Sequence, residues 1–189
     1  MSFKSHEQHR RSAHEKIGFL VVTVSSSRFE LRRAGKKFTD ESGDVAEKMI
    51  KKHAHGLRER VLISDDRAQI EAALKAGLAN KKIDVILFTG GTGVSPSDVT
   101  IETVRPHLEK EIDGFGEILR AVSYEKIGFP AVLSRATAGI VGGRLVICLP
   151  GSPDGVKTAL ELFIEDVPHV VHVATGRHQP ALAAAQAFL

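Results

Sequence analysis

The chain has little of what marks several common protein classes. Among its 189 residues there is one cysteine, no tryptophan and an aromatic content of only 5%. The single cysteine, Cys148, excludes an intramolecular disulfide, and its place in an apolar run predicts a buried thiol. No apolar run approaches the roughly 18–20 residues of a membrane span, and the N-terminus is polar rather than signal-like. We therefore predict a soluble, cytoplasmic protein without a membrane segment.

An excess of charge of one sign is also missing from most of the chain. The formal net charge is +3, yet residues 1–16 carry +2 and residues 28–37 carry +4, which leaves −3 for the rest. The basic surplus is therefore local, unlike the basic surfaces that bind duplex nucleic acid. Aromatic residues beside basic ones are limited to Phe29 and Phe38, which gives base stacking little support. The composition predicts no nucleic-acid partner.

What is present fits one domain with a core of Val, Ile, Leu and Ala, since 189 residues can bury a sizeable core. Residues 1–15 hold three histidines and little apolar content, and we predict a flexible basic tail there. An α/β domain is predicted over residues 16–176. The alanine-rich residues 177–189 are predicted to form a C-terminal tail.

Hydrophobic periodicity predicts an open α/β sheet. Short apolar runs predict strands over residues 17–24, 58–63, 83–88 and 144–149. Patterns with helical spacing separate these runs, as they do in parallel sheets. The pair Gly142-Gly143 predicts a two-residue hairpin turn before the last strand, which makes the sheet mixed rather than wholly parallel.

Three segments between the strands are assigned from local signals alone. Residues 28–37, with five basic side chains, are predicted to form a loop. A helix that follows residues 39–43 is predicted to end at Gly56. A further helix is predicted over residues 111–126.

The most informative stretch comprises residues 83–100. An apolar strand leads directly into the sequence TGGTG at residues 89–93, whose glycines let backbone N–H groups approach a ligand closely. Asp98 and the start of a helix follow, a layout that places a phosphate at a helix N-terminus beside a carboxylate. Neither G-x-x-x-x-G-K-[ST] nor G-x-G-x-x-G fits this loop. The alternative is a plain tight turn, with Asp98 as the N-cap of the helix.

A second copy of this layout lies downstream. The strand over residues 144–149 leads into a loop at residues 150–155, and a pattern with helical spacing follows. In an open α/β sheet, loops at the carboxyl ends of parallel strands line one crevice. Two phosphate-binding loops at one edge predict a ligand with more than one phosphate. The alternative is that each loop only reverses the chain.

Polar segments at four strand ends converge on this crevice in the predicted fold. They are residues 25–28, 64–66, 89–98 and 150–154. Asp65 or Asp66 caps the helix that follows, which leaves the other one available, and Asp98 supplies a second carboxylate. Mg²⁺ prefers one or two carboxylates together with phosphate oxygens and water. The residues by themselves thus predict a Mg²⁺-dependent enzyme that acts on phosphorylated ligands by positioning and charge neutralisation.

Six motifs, in order along the chain, carry a resemblance to a known family. They are TVSSSR (23–28), DESG (40–43), TGGTG with SDVT (89–100), GFGE (114–117), LSRA (133–136) and LPGSP (149–153). Through them the chain resembles the MoaB/MogA molybdopterin adenylyltransferases, whose domain also occurs in gephyrin. The resemblance implies a three-layer α/β/α fold with a mostly parallel, mixed central sheet, assembled as a trimer or hexamer. It also implies transfer of AMP from Mg-ATP to the terminal phosphate of molybdopterin, with release of pyrophosphate, in molybdenum cofactor biosynthesis.

By position, the resemblance assigns catalytic and substrate-binding residues. Asp65 and Asp98 match the two important aspartates of the family and would also hold Mg²⁺. The residues that would bind the substrates ATP and molybdopterin are Ser25, Ser27, Arg28, Thr89, Gly90, Gly91, Thr92, Gly93, Ser134, Arg135, Pro150, Gly151 and Ser152. One departure is Ser26, which stands where many relatives have an aspartate and would weaken one metal or ligand contact.

Two other interpretations compete with an adenylyltransferase. The first is a molybdopterin-binding or scaffold protein with little turnover, against which the presence of both carboxylates argues. The second is a fragment of a molybdenum-insertion enzyme, but those proteins carry extra domains for which 189 residues leave no space.

The expected partners are small-molecule substrates, a molybdenum-insertion enzyme and further copies of the chain. An interface is predicted on one stripe of the helix over residues 111–126, unless the stripe covers its own sheet. The stripe is formed by Phe115, Ile118, Leu119 and Val122.

Overall fold

The computed structural model describes residues 16–175, which form a six-stranded sheet between two layers of helices. The predicted tails over residues 1–15 and 177–189, and Gly176 at the end of the predicted domain, lie outside the described residues. The strands are β1 (Gly18–Val24), β2 (Gly56–Ile63), β3 (Val85–Thr89), β4 (Lys110–Glu111), β5 (Thr137–Val141) and β6 (Arg144–Leu149). The helices are α1 (Ser26–Arg33), α2 (Glu41–Lys52), α3 (Arg67–Ala79), α4 (Thr100–Val104), α5 (Gly114–Ile127), α6 (Pro153–Phe163) and α7 (Val167–Ala174).

The strand order in the sheet is β2-β1-β3-β6-β5-β4. Strands β1, β2, β3 and β6 run parallel, whereas β5 pairs antiparallel with β6 and β4 pairs antiparallel with β5. Gly142 and Gly143, with φ of +53° and +72°, form the predicted hairpin turn. The mostly parallel, mixed sheet is therefore confirmed. Strands β2 and β3 lie on opposite sides of β1. The segments that follow these strands therefore separate and leave a crevice at the carboxyl ends of the strands.

Successive side chains of the central strands point to opposite faces of the sheet, so the core has two layers. Strands β1 and β3 are buried over their full length. Phe19 and Val21 pack with residues of α2, α5, α6 and α7, whereas Leu20 and Val22 pack with residues of α3 and α4. This confirms the three-layer α/β/α architecture. None of the helices within residues 16–175 is long and apolar enough to cross a membrane.

The loop predicted over residues 28–37 is wrong in its first half, because Ser26–Arg33 form α1. Ser25 is its N-cap, and Arg32 and Arg33 lie in the last turn, where basic side chains favour the helix dipole. No residue of α1 is buried. The helix therefore has no apolar stripe by which periodicity could reveal it.

Two predicted helix boundaries also need correction. Helix α2 ends at Lys52, and Gly56 opens β2 instead of ending the helix. The left-handed position after α2 is taken by Ala54, with φ of +60°, and two amides there donate back to carbonyls of the last turn. Helices that end in this way usually have glycine at the left-handed position. The prediction ended the helix at Gly56 for that reason. The helix predicted over residues 111–126 starts only at Gly114, since β4 precedes it.

Asp40 ties the start of α2 to β1 and β2. Its Oδ2 accepts hydrogen bonds from Thr23 Oγ1 at 2.7 Å and from Arg60 Nη2 at 2.8 Å. Its Oδ1 accepts from the Ser42 hydroxyl at 3.2 Å and from the Gly43 amide at 3.1 Å, which caps the helix. Burial raises the pKa of Asp40, but these hydrogen bonds outweigh burial and hold the pKa below its usual value. This carboxylate fixes the end of β1, where the crevice begins.

Candidate active site

A cleft of about 490 Å³ lies at the carboxyl ends of the parallel strands, where the crevice was predicted. Its walls are Val24, Ser25, Ser26, Ser27, Arg28, Asp65, Gly90, Gly91, Thr92, Gly93, Asp98, Leu133, Ser134, Arg135, Pro150, Gly151 and Ser152. The structure thus brings together Asp65, Asp98 and every predicted substrate-binding residue except Thr89. Thr89 is fully buried, and its hydroxyl donates to the Pro150 carbonyl at 2.9 Å, so it joins the two loops instead of facing the cleft.

Three wall residues were not predicted as binding residues. Ser26 stands between Ser25 and Ser27 in one hydroxyl-rich run, a signal that could have identified it. Val24 and Leu133 are apolar and offered no such signal. Val24 is the last residue of a buried strand, and the 55% exposure of Leu133 depends on the fold around it.

Glycine is required in the TGGTG loop because its backbone touches neighbouring atoms. Gly90 and Gly91 have φ of +102° and +61°. A Cβ on Gly90 would lie 2.2 Å from the Val24 carbonyl oxygen, and a Cβ on Gly91 would lie 2.7 Å from Asp65 Oδ1. A Cβ on Gly151 of the second loop would lie 3.0 Å from Gly90 Cα. The two loops and the end of β1 therefore form one continuous wall.

Asp65, and not Asp66, faces the cleft. Asp66 is the N-cap of α3 and accepts from the Gln69 amide at 2.9 Å. Asp65 Oδ2 accepts from the amide of Ser26 at 2.7 Å and from its hydroxyl at 2.8 Å. Asp65 Oδ1 lies beside Gly91 and accepts no hydrogen bond from residues 16–175. Asp65 therefore presents one oxygen to a ligand in the cleft.

Asp98 is not the N-cap of the helix that follows it, which excludes that alternative. Helix α4 begins at Thr100, and its N-cap residue, Val99, makes no side-chain cap. Asp98 Oδ2 instead accepts from the Ser95 amide at 2.8 Å and closes the turn over residues 95–98. Its Oδ1, like that of Asp65, accepts no hydrogen bond from the described part of the chain. The two carboxylates are thus held in the same way.

Two arginines bring positive charge to the cleft, and one of them is neutralised. Arg135 Nη1 donates to the Gly93 carbonyl at 3.1 Å, and its Nη2 pairs with Glu102. Burial raises the pKa of Glu102, but the hydrogen bond from Arg135 outweighs it, so the pKa is lowered and the pair is charged at neutral pH. Arg28 donates through Nε to the Thr39 carbonyl at 3.0 Å and pairs with no described carboxylate. Arg28 therefore has charge available for an anionic ligand.

Two helices begin at the cleft. Ser25 and Ser152, the N-caps of α1 and α6, both line its wall, and Ser152 Oγ accepts from the Gly155 amide at 3.1 Å. The amides of a first helical turn lack intrahelical partners, and the helix dipole places partial positive charge there. Helix N-termini of this kind bind phosphate. The cleft therefore suits an anionic ligand despite its two carboxylates.

The oxygen donors of the cleft fit a divalent cation that is shared with phosphates. Residues 16–175 contain no group of three or more His, Cys, Asp or Glu side chains that could hold a metal ion by themselves. Asp65 and Asp98 each offer one oxygen, and Mg²⁺ uses one or two carboxylates with substrate phosphates and water. Cys148 is buried as predicted, and burial raises the pKa of its thiol, which excludes it as a nucleophile.

Known proteins are similar to this chain in sequence and architecture. A family model described as a probable molybdopterin binding domain matches residues 20–169. The molybdenum cofactor biosynthesis protein B of Bacillus cereus is 36% identical over 173 residues, which cover 91% of this chain and 97% of that protein. The probable molybdopterin adenylyltransferase of Methanocaldococcus jannaschii is 39% identical over 161 residues, which cover 85% and 96%.

The likeness extends to a solved structure. A crystal structure of a molybdenum cofactor biosynthesis protein B matches with a TM-score of 0.79 and 35% identity, over 87% of this chain and 98% of that one. The resemblance seen in the six sequence motifs is therefore confirmed. The chain belongs to the molybdopterin-binding-domain family that the family model describes.

Proposed function

We propose that this protein is a molybdopterin adenylyltransferase of molybdenum cofactor biosynthesis. A relative named for that activity is 39% identical over 85% of the chain. One observation carries the proposal: the carboxylates of Asp65 and Asp98, each with one unbonded oxygen, share a cleft with two helix N-termini. Carboxylates beside phosphate-binding groups suit a nucleotide that arrives with a divalent cation.

The reaction needs no proton transfer at its centre. A terminal phosphate oxygen of molybdopterin, already ionised at neutral pH, forms a bond to the α-phosphorus of ATP. The bond from that phosphorus to the β-bridging oxygen breaks, and pyrophosphate leaves with the electron pair. Catalysis of such a transfer depends on positioning and charge neutralisation. The described wall of the cleft contains no histidine, which agrees with chemistry that needs no general base.

Groups of the chain itself supply binding and orientation. The amides of Gly91, Thr92 and Gly93 donate to no residue within 16–175, and the same holds for the amides of Ser27 and Asp154 in the first turns of α1 and α6. These amides are the donors for phosphate oxygens. Arg28 adds positive charge. Arg135, held by Glu102, fixes the Gly93 carbonyl and with it the shape of the loop. A cleft of about 490 Å³ is of the size that proteins use for small ligands.

Mg²⁺ bound with ATP would neutralise charge on the phosphates. Asp65 and Asp98 are the residues that would hold it, each through its Oδ1.

A direct assay tests the proposal. The purified protein, incubated with ATP, Mg²⁺ and molybdopterin, should release pyrophosphate and form adenylyl-molybdopterin, which mass spectrometry can detect. Omission of molybdopterin is the control for plain ATP hydrolysis. Retention of molybdopterin without pyrophosphate release would instead support the binding or scaffold protein.

We further propose that the chain forms a closed homo-oligomer, a trimer or a hexamer, through an apolar patch. The predicted stripe on α5 divides into two parts. Leu119 is buried, and Phe115 lies against Phe163 with ring centroids 5.3 Å apart, so both cover their own domain. Ile118 is 60% exposed but lies about 180° around α5 from Ile127, so it faces another way. The patch is formed by the exposed apolar residues at the end of α5 and in the segment after it, Tyr124, Ile127, Phe129, Val132 and Leu133. Exposed apolar patches of this kind are typical of protein interfaces.

Light scattering at micromolar concentration tests the assembly. We expect the mass of three or six subunits, and a mass near 20.5 kDa would contradict the proposal. Phe129→Glu should give a folded but smaller species, since a buried aromatic anchor contributes much of an interface. Val94→Glu, which changes an exposed apolar residue outside the patch, should leave the mass unchanged. Contact with a molybdenum-insertion enzyme and a cytoplasmic location stay predictions.

A further inference from the structure

Ser26 contacts Asp65 through both its backbone and its side chain. The amide and the hydroxyl of Ser26 both donate to Asp65 Oδ2, at 2.7 and 2.8 Å, and the Asp65 amide donates to Ser26 Oγ at 3.0 Å. The hydroxyl of Ser64 lies 2.8 Å from Ser26 Oγ. Ser26 and Asp65 are 39 positions apart. Their contact therefore joins the segments that follow β1 and β2.

These bonds determine where the hydrogens lie. The Asp65 amide can only donate, and an ionised carboxylate can only accept. The proton of the Ser26 hydroxyl therefore points to Asp65 Oδ2, and its oxygen accepts from the Asp65 amide and from the Ser64 hydroxyl. The one donor and both lone pairs of this hydroxyl are then used. The Asp65 side chain is held in one orientation as a result.

The same bonds make the two oxygens of Asp65 different. Oδ2 accepts two short hydrogen bonds, whereas Oδ1 accepts none from residues 16–175. Oδ1 lies beside Gly91, 2.7 Å from where a Cβ on that residue would be. Asp65 can bind a cation through both oxygens only if its bonds to Ser26 break.

We infer that Ser26 is a positioning residue that makes Asp65 a one-oxygen ligand and so favours Mg²⁺ over Ca²⁺ in the cleft. Mg²⁺ takes an octahedral shell of single oxygens and keeps several waters, whereas Ca²⁺ takes more ligands and accepts carboxylates through both oxygens. Groups that orient a ligating side chain tune the affinity for the metal. The inference rests on the proposed function, in which Asp65 contacts the cation that accompanies ATP.

Equilibrium dialysis tests the inference without turnover. Mn²⁺ serves as the detectable cation, together with α,β-methylene ATP, whose bridge between the α- and β-phosphates resists cleavage. Mn²⁺ and nucleotide retained by the protein are measured, and Mg²⁺ or Ca²⁺ is then added as a competitor. For the unmodified protein we expect Mn²⁺ to be retained with the nucleotide and Mg²⁺ to compete better than Ca²⁺.

Substitutions at position 26 supply the decisive comparison. Ser26→Ala should weaken Mn²⁺ retention about tenfold and reduce the preference for Mg²⁺ over Ca²⁺. Ser26→Thr keeps the hydroxyl and should restore both values. Ser97→Ala is the matched control, because it removes a hydroxyl that contacts Ser95 Oγ at 2.9 Å outside the cleft wall. If Ser26→Ala does not fold, Ser64→Ala replaces it and should lower retention in the same direction, by less.

The outcomes separate this inference from the proposed function. Unchanged Mn²⁺ retention and cation preference in Ser26→Ala would overturn the inference and leave the proposed function standing. A protein that binds the nucleotide but never retains Mn²⁺ would overturn both the inference and the metal role of Asp65. The expected retention pattern without pyrophosphate release in the assay above would support the inference and contradict adenylyl transfer.

Discussion

The carboxylate of Asp40 and the two carboxylates of the cleft are bonded in opposite ways, although all three lie near the ends of β1, β2 and β3. Each oxygen of Asp40 accepts two hydrogen bonds, and its side chain is only 9% exposed. Asp65 and Asp98 are held through Oδ2 alone, and their Oδ1 atoms accept nothing from residues 16–175.

This difference separates a carboxylate that stabilises the fold from one that can bind a ligand. Buried polar groups are almost always fully hydrogen-bonded, as Asp40 is. A carboxylate with all its acceptor sites used has no capacity left for a cation or a phosphate-bound water. One that is anchored through a single oxygen keeps its orientation and still offers the other oxygen. Substitution of Asp65 or Asp98 should therefore lower the rate of catalysis, whereas substitution of Asp40 should lower the stability of the fold.

The largest effect should come from removing a charge in the cleft. We expect Asp98→Asn to lower the rate of adenylyl transfer by about a hundredfold or more, because an amide keeps the bond from the Ser95 amide but lacks the charge that a cation needs. Asp65→Asn should act in the same way. Pyrophosphate release at saturating ATP measures the rate, and thermal melting should show an unchanged fold.

A neighbouring aspartate provides the control for this prediction. Asp66→Asn keeps a residue of equal N-cap preference at the start of α3 and should turn over like the unmodified protein. Turnover of Asp98→Asn within a few-fold of the unmodified protein would reduce Asp98 to a residue that only closes a turn.

Substitution of Asp40 should reduce stability instead. Asp40→Ala removes the N-cap of α2 and the most buried partner of Arg60. We expect the free energy of unfolding to fall by about 3 kcal/mol, from the lost cap and the lost hydrogen bonds to a charged group. Urea unfolding measures the change. Asp44→Ala, which removes a 66% exposed partner of the same arginine, should cost about 0.5 kcal/mol or less.

The contrast would fail if Asp40→Ala kept its stability and lost its turnover. That result would place Asp40 in the chemistry of the cleft, in spite of its four protein partners.

Exposed basic residues at the end of α1 and in the segment after it should influence ligand capture more than stability. Neutralisation of Arg32, Arg33, Lys36 and Lys37 together should weaken the binding of α,β-methylene ATP. Added salt should reduce the difference in affinity between this variant and the unmodified protein. The melting temperature should barely move, because solvated charges contribute little to stability. Titration calorimetry at low and high salt measures the affinity. A large loss of stability with unchanged affinity would show that the segment is structural.

The smallest effect at neutral pH comes from groups that change the free energy of unfolding only in acid. Because the folded state lowers the pKa of Asp40, its contribution is full above the usual value of 3.8 and is lost as the pH falls through the lower folded value. The hydrogen bond from Thr137 lowers the pKa of Glu111, which adds a contribution of the same sign. We expect the free energy of unfolding to decrease as the pH is lowered below about 4. In Asp40→Asn this decrease should be smaller. Urea unfolding over a pH series measures both proteins. An equal loss of stability in acid for Asp40→Asn and the unmodified protein would show that other groups dominate.

Individual residues show where sequence reasoning succeeded and where it stopped. Strands β1, β2, β3 and β6, the hairpin at Gly142 and the two glycine loops were predicted from apolar runs and turn residues, which act over a few positions. The two-residue strand β4 was not, because it is too short to show a pattern. Helix α1 was missed because none of its residues is buried. Thr89 was placed among the binding residues because it belongs to the TGGTG motif, yet the side chain of a strand's last residue can point to either face.

Asp65 and Asp66 mark the boundary most clearly. Local capping preference required one of them to cap α3 but accepted either one, so the sequence pattern predicted an available carboxylate without identifying it. The choice was made by Ser26, which bonds Asp65 from a segment 39 positions away. Strand periodicity, turn chemistry and family motifs are local properties, and they were enough to establish the α/β class, the position of the cleft and the family. Which oxygen stays unbonded depends on contacts between strand ends that only the order and register of the folded sheet bring together.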